Sequence, residues 1–318
     1  MPVRHAYQSA TANNPAHEIS STRWNANHDL VDNLDFPDVT SAPSAPTSGT
    51  RVWARLIAQR STMFMTPGGA YGARPIAIAP YGSRAPMLIT LASGTTAPTA
   101  MGCTLTTAAT MSLQFTATSS NRWTSTPRKR YTTATTAGTA TGVRIAYTQF
   151  YRGSAAGYGG FFFAARFGHS TNTTGYQLFA GMCASTAALG GDPSALTNMI
   201  GMGYDAGDAA TGNWYIMHND GSGTATRIEL NGTGSSPNAA ARGTDQGFDL
   251  YIFNPPNSSS FHVLAESINN QNVVFNGTIT SDVPAADTAL AWKVECRNGA
   301  VAAAATVEHN YIYVENLS

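Results

Sequence analysis

Charge is what this chain has least of. Only 11% of its 318 residues are Asp, Glu, Lys or Arg, less than half of the roughly 25% of an ordinary soluble domain. The 18 acidic and 18 basic residues cancel, so no global field steers the chain toward nucleic acid or anionic lipid, and neither a nucleic acid nor a membrane is expected as its partner. Lysine is nearly missing: of the 18 Lys plus Arg only Lys129 and Lys293 are Lys, which leaves 16 Arg. That balance favours planar, bidentate contacts over mobile solubilising charge. Cysteine is equally sparse. Cys103, Cys183 and Cys296 are odd in number and widely spaced, which excludes a disulfide framework or a zinc knuckle and leaves them as small buried hydrophobes. No run of about 18 apolar residues occurs, and no apolar run follows Arg4 in MPVRHAYQSATANNPAH, so neither a membrane helix nor a signal peptide is expected.

The motifs of common chemistries are missing too. There is no G-x-x-x-x-G-K-[ST], no G-x-G-x-x-G opening a helix and no G-x-S-x-G, which argues against nucleotide chemistry and against a nucleophile elbow. A glycosidase needs two facing carboxylates, for which Asp205, Asp208, Asp220, Glu229, Asp249, Glu266 and Glu295 are the candidates. Most of these fall at turns or on the polar faces of strands, so no catalytic residue and no enzyme activity are expected. His17 and His28 could ring the axis of an oligomer, but their spacing matches no ligand signature, and neither a metal nor another cofactor is expected. His169, His218, His262 and His309 are isolated. The group Arg122, Trp123, Arg128, Lys129, Arg130 and Tyr131 could stack on bases; in a neutral chain a contact between subunits or loops is the preferred reading.

What is present is strand-forming. With 42% hydrophobic residues the chain can bury a sizeable core, as one large all-β domain or two smaller ones. The stretch TSAPSAPTSGT, residues 40–50, continues neither a helix nor a central strand and reads as a linker. Before it, Ser20 or Ser21 can cap a short helix carrying Ile19, Trp24, Val31 and Leu34 at near-helical intervals. Residues 1–50 are thus an arm and linker, and residues 51–318 a β-domain whose 51–141 part is less regular.

Beyond residue 50, Thr, Val, Ile, Tyr and Phe dominate and turn residues recur about every 8 to 12 positions, as in sandwiches. The Trp214–His218 and Thr224–Leu230 segments flank Asn-Asp-Gly-Ser-Gly and read as a hairpin. Strands are expected over Phe248–Phe253 and Phe261–Ile268, and over Val273–Phe275 and Thr278–Thr280 joined by an Asn276-Gly277 turn. In Ala291–Arg297, Trp292, Val294 and Cys296 alternate with Lys293, Glu295 and Arg297, one face buried and the other wet. Gly142–Tyr151 and Gly160–Phe167 are expected to pair through the glycine-rich link between them. Short strands are expected at 76–78, 87–91 and 111–115, and a last one over Thr306–Val314. The run YDAGDAATGNWY, residues 204–215, bounds a polar loop with aromatics. Tyr204, Asp205, Asp208, Trp214 and Tyr215 are therefore the candidate glycan-binding residues; the alternative is that Trp214 and Tyr215 simply begin a core strand.

The layout as a whole resembles tail-fibre or receptor-binding proteins of tailed bacteriophages. The resemblance rests on HEISSTRWNANHDL at 17–30, GVRIAY at 142–147, GGFFFAARFG at 159–168 and SALTNMIGMGYD at 194–205. It implies a homotrimer assembled in the bacterial cytoplasm and carried on the virion, with a lectin-like β-sandwich or jelly roll directed at host surface polysaccharide. It also implies docking of the arm on other phage virion proteins; it carries no binding residues over, and His17, Ile19, Trp24, Asn25 and His28 of the arm are the candidate anchoring residues. The competing readings are a head decoration or appendage that binds no receptor, and a polysaccharide depolymerase.

Overall fold

The structure, a computed structural model, describes residues 50–57, 60–67, 74–75, 87–89 and 103–106 as backbone strands, and residues 110–118, 120–171, 173–209, 213–230 and 243–317. The expected arm helix and its anchoring residues His17, Ile19, Trp24, Asn25 and His28, like the strand expected at 76–78, lie outside the described residues.

Two antiparallel sheets face each other. The first has seven strands in the order β13 (Thr226–Glu229), β12 (Tyr215–Asn219), β11 (Met199–Tyr204), β10 (Gln177–Cys183), β17 (Ala291–Arg297), β8 (Ala140–Ile145) and β5 (Cys103–Thr106). The second runs β16 (Asn272–Ile279), β15 (Phe261–Ser267), β14 (Gln246–Asn254), β9 (Phe161–His169), β18 (Thr306–Asn316), β7 (Arg128–Thr132) and β6 (Thr110–Gln114). Its eighth strand, β4 (Met87–Ile89), pairs with the second half of β18. β1 (Thr50–Ile57), β2 (Arg60–Pro67) and β3 (Arg74–Pro75) form a separate antiparallel meander. The chain is an all-β sandwich.

Alternation builds the core. Phe161, Phe163, Ala165 and Phe167 of β9 point inward beside Phe248, Leu250 and Ile252 of β14, and across the gap lie Leu178, Ala180, Met182, Met202, Trp292 and Val294. Each fully buried large side chain contributes about 1.5–3 kcal/mol of apolar burial. The run Phe161-Phe162-Phe163 has no polar partner face because β9 is covered on both sides. Phe162 and Ala164 sit on the far face in a second buried cluster with Leu264 and Tyr313.

The expected hairpin Trp214–Leu230 is present as β12 and β13. Two other expectations are corrected. β8 and β9 do not pair: β8 lies beside β17 and β5, β9 beside β14 and β18, so the glycine-rich link crosses from one sheet to the other. Asn276-Gly277 makes no turn; β16 runs straight through it, Asn276 opposite Leu264 and Gly277 opposite Val263. The turn lies earlier, at Gln271 with φ +54°. Glycine at 277 answers a close approach instead, since an added Cβ would lie 2.9 Å from the Phe275 ring.

Candidate functional site

The loop singled out in the sequence is a staple of the fold. Tyr204, the last residue of β11, and Trp214, just before β12, both point into the core, where their ring centroids are 4.8 Å apart at 80°. Trp214 also meets Phe248 at 4.9 Å and His169 at 5.1 Å, and its Nε1 donates to Gln246 Oε1 at 3.0 Å. The Tyr204 hydroxyl bonds to His169 Nδ1 at 2.8 Å. Neither ring has a free face, so the expectation that these two stack on a sugar is corrected: a Trp opening a strand beside an aromatic-rich sheet is buried by that sheet.

Tyr215 points to the outer face of the seven-stranded sheet, but the Arg227 guanidinium lies over its ring at 3.9 Å. Asp205 and Asp208 hold that guanidinium in place. Asp205 Oδ2 is 3.2 Å from Arg227 Nη1, and Asp208 Oδ2 accepts from Nη2. Asp205 Oδ1 accepts from the Ser194 amide at 3.0 Å, and Asp208 Oδ2 from the Asp205 amide at 2.6 Å. Burial raises the Asp205 pKa, opposed by its hydrogen bonds from Ser194 and by Arg227. The structure thus brings Asp205, Asp208 and Tyr215 together around Arg227, with their polar groups used inside the chain.

What Ser194 belongs to is a strap, residues 184–198, that crosses the outer face of the seven-stranded sheet. Ionic side chains beneath it hold it down. Glu295 Oε1 accepts from Arg144 Nη1 at 2.8 Å and Oε2 from the Leu189 amide at 3.0 Å. Arg144 Nε donates to the Thr186 carbonyl at 2.7 Å, and Lys293 Nζ to the Ala187 carbonyl at 2.7 Å. Asp192 Oδ1 closes the far end on Gln177 Nε2 at 2.6 Å and the Ala206 amide at 2.7 Å. The wet face expected for β17 is therefore corrected: Lys293 and Glu295 are fully buried. A similar correction applies to the cationic group at 122–131, where Glu308 accepts from Arg128 Nε and Arg130 Nε at 2.5 Å each and Tyr131 stacks on His309 inside the core. These contacts lie within the chain.

Of the exposed aromatics among the described residues, Phe115 follows β6 and two stand in the β8–β9 connection. Tyr147 is 48% and Tyr158 62% exposed. Tyr158 tops a short turn in which its amide donates to the Ala155 carbonyl at 3.1 Å. The base of this loop is two backbones in contact. Gly153 (φ +87°) would place a Cβ 2.0 Å from the Tyr158 carbonyl oxygen, and Gly159 (φ +71°) would place one 2.4 Å from the Arg152 carbonyl, so neither position admits a side chain. Neighbouring loops fix the base. Gly153 donates to the Ala286 carbonyl at 3.0 Å, and the Asn257 amide is shared between the Arg152 and Tyr158 carbonyls at 3.0 Å each. Phe150 bridges to Leu290. The outcome is an exposed phenol on a rigid mount, with the exposed Ser154 in the same loop and the exposed Asn257 and Asp287 in the loops tied to its base. A ring face for apolar C–H groups beside hydroxyl, amide and carboxylate groups is chemistry that suits a saccharide. In the sequence, the one signal for this site is Tyr158 standing alone among Gly, Ala and Ser in GSAAGYGG, residues 153–160.

In structure the chain is similar to a protein of unknown function from Shewanella oneidensis MR-1, with a TM-score of 0.46, 14% identity, and 73% of this chain and 85% of that one covered. It is also similar to peanut lectin solved with a 9mer peptide, with a TM-score of 0.45, 9% identity, and 73% and 97% covered. A third is arcelin-5, a lectin-like defense protein from Phaseolus vulgaris, with a TM-score of 0.44, 8% identity, and 69% and 93% covered. No family model matches the chain, and no curated protein matches it.

Proposed function

We propose that this protein is a non-enzymatic receptor-binding component of a tailed-phage virion, and that its sandwich binds host surface polysaccharide through the loop end that carries Tyr158. The observation that carries the glycan reading is the exposed Tyr158 ring on its glycine-framed mount. Recognition residues belong on loops held by a rigid scaffold, and this loop is tied to two neighbours by main-chain hydrogen bonds. The virion reading is supported by the arm pattern at 17–30 and by a surface composition poor in charge, which suits packing against identical copies in a homotrimer. Three such sites presented together bind through effective concentration, so each can be shallow.

The test is binding of the purified chain to a polysaccharide array, with Tyr158→Ala beside the wild type. Loss of the stacked ring lowers single-site affinity roughly tenfold, as expected for about 1.4 kcal/mol, without moving the melting temperature. Undiminished binding by Tyr158→Ala overturns the assignment of the site. Antibody labelling of intact particles tests the placement: label at the distal tail agrees with it, and label on the capsid favours a head decoration. Shortened polysaccharide chains after incubation would make the protein a depolymerase.

A further inference from the structure

We infer that the same loop end takes an acidic glycan, a sugar bearing an oxyanion that pairs with the Arg152 guanidinium. The inference rests on the glycan reading above and adds the class of sugar. Arg152 forms the loop base with Tyr158: the backbone carbonyls of the two residues accept from one amide, that of Asn257. Its side chain is half-buried, and its Nε lies out of water with no hydrogen-bond partner.

Arg227 Nε is sealed in the same way, but the other nitrogens of that guanidinium are paired. Among the described residues the other buried or half-buried arginines are matched. Arg128 and Arg130 meet Glu308, Arg144 meets Glu295, and Arg227 meets Asp205 and Asp208. Arg166 makes a bidentate pair with Asp249 at 2.8 and 2.7 Å, and Arg297 donates to Gln177 Oε1 at 3.0 Å and to the Gly138 carbonyl. Arg122 is exposed and solvated by water. Of the buried and half-buried ones, Arg152 alone has no side-chain acceptor. Burial lowers its pKa, and Asp287 opposes this through space without an ion pair.

A sealed Nε–H without an acceptor costs the free protein a hydrogen bond. A carboxylate or a phosphate or sulfate ester accepts from its two Nη groups, which are not sealed, in two parallel bonds. On the same loop as an exposed ring, that fork recognises a pyranose with a charged substituent: the ring stacks on the sugar's C–H face and the oxyanion fixes its orientation. Lysine would supply the charge but not the fork.

The experiment measures binding of the full chain to polygalacturonate oligosaccharides, to sulfated dextran and to neutral dextran of matched length, at two salt concentrations. The wild type is expected to bind at least one charged polymer tenfold or more tighter than the neutral one. Arg152→Gln should abolish that preference while leaving neutral binding and the melting temperature in place, and Arg152→Lys should restore part of it. Carboxylate and sulfate sources are told apart by which charged polymer responds to the substitution. No charge preference in the wild type, or one that Arg152→Gln leaves intact, overturns the inference while Tyr158-dependent binding to neutral dextran upholds the glycan reading. Failure to bind any of the three polymers overturns both.

Discussion

Glu295 offers the sharpest test of how the outer face of the seven-stranded sheet is organised. One carboxylate, fully buried, serves Arg144 Nη1 at 2.8 Å and the Leu189 amide at 3.0 Å, with Lys293 Nζ at 4.0 Å. Replacing it by Gln keeps the shape and removes the charge. Two cations are then left under the strap, Lys293 fully buried and Arg144 with 13% of its side chain exposed. Stranding one partner of a buried pair costs about 3–5 kcal/mol, which multiplies the unfolding constant by roughly two to three and a half powers of ten. Part of that cost is avoided if the strap lifts and water reaches the cations. The assays are therefore two: urea denaturation at constant slope, and limited proteolysis at the exposed residues Ala187 and Gly190. Glu295→Gln should lower stability by ~3 kcal/mol or more and accelerate cleavage between 186 and 191. The double variant Glu295→Gln with Lys293→Met should regain part of the loss, because one of the stranded charges is gone. A change under about 1 kcal/mol with unaltered cleavage refutes the claim that the ionic cluster holds the strap.

Three further outcomes follow from the same geometry. Trp214→Ala should cost about 3–5 kcal/mol as a core truncation yet leave glycan affinity of the folded fraction unchanged, as urea titration and array binding would show. Gly153→Ala places a Cβ against the Tyr158 carbonyl at a φ of +87°, so strain of about 1–3 kcal/mol should distort the loop, and binding should fall at least as far as with Tyr158→Ala. His309 is kept neutral: burial first, then the charge of Lys129, pushes its pKa down to about 4 from 6.5. The unfolded chain takes up that proton near pH 6.5 and the folded chain does not, so this stability is complete above pH 6.5 and is lost as pH falls toward 4. Denaturation at pH 7.5 and 4.5 should show a loss of about 2–3 kcal/mol in the wild type that His309→Gln largely lacks.

The fold was legible where chemistry alternates cleanly. The Trp214–Leu230 hairpin and the two-faced β17 could be read directly, because period two and an Asn-Asp-Gly turn act locally. Sheet partners were not legible: Gly142–Tyr151 and Gly160–Phe167 are neighbours in sequence and belong to opposite sheets, since a connecting link fixes proximity and not pairing. Alternation also reports polarity rather than wetness, which is why Lys293 and Glu295 read as solvated while a strap from 184–198 covers them. The aromatic run at 204–215 had the composition of a sugar site, but its Trp belongs to the densest part of the core. Tyr158 carried a weaker signal and stands in the open.

The position of β18 has a consequence for how the protein is made. It is the bridge between the β16–β15–β14–β9 half of its sheet and the β7–β6 half, pairing with β9 on one side and with β7 and β4 on the other. Until residues 306–316 leave the ribosome, both halves expose raw edges, which is a standing invitation to aggregation. Closure of this sheet therefore waits for β18, and a chain stopped at residue 305 should be cleared by proteases rather than accumulate as a partial product.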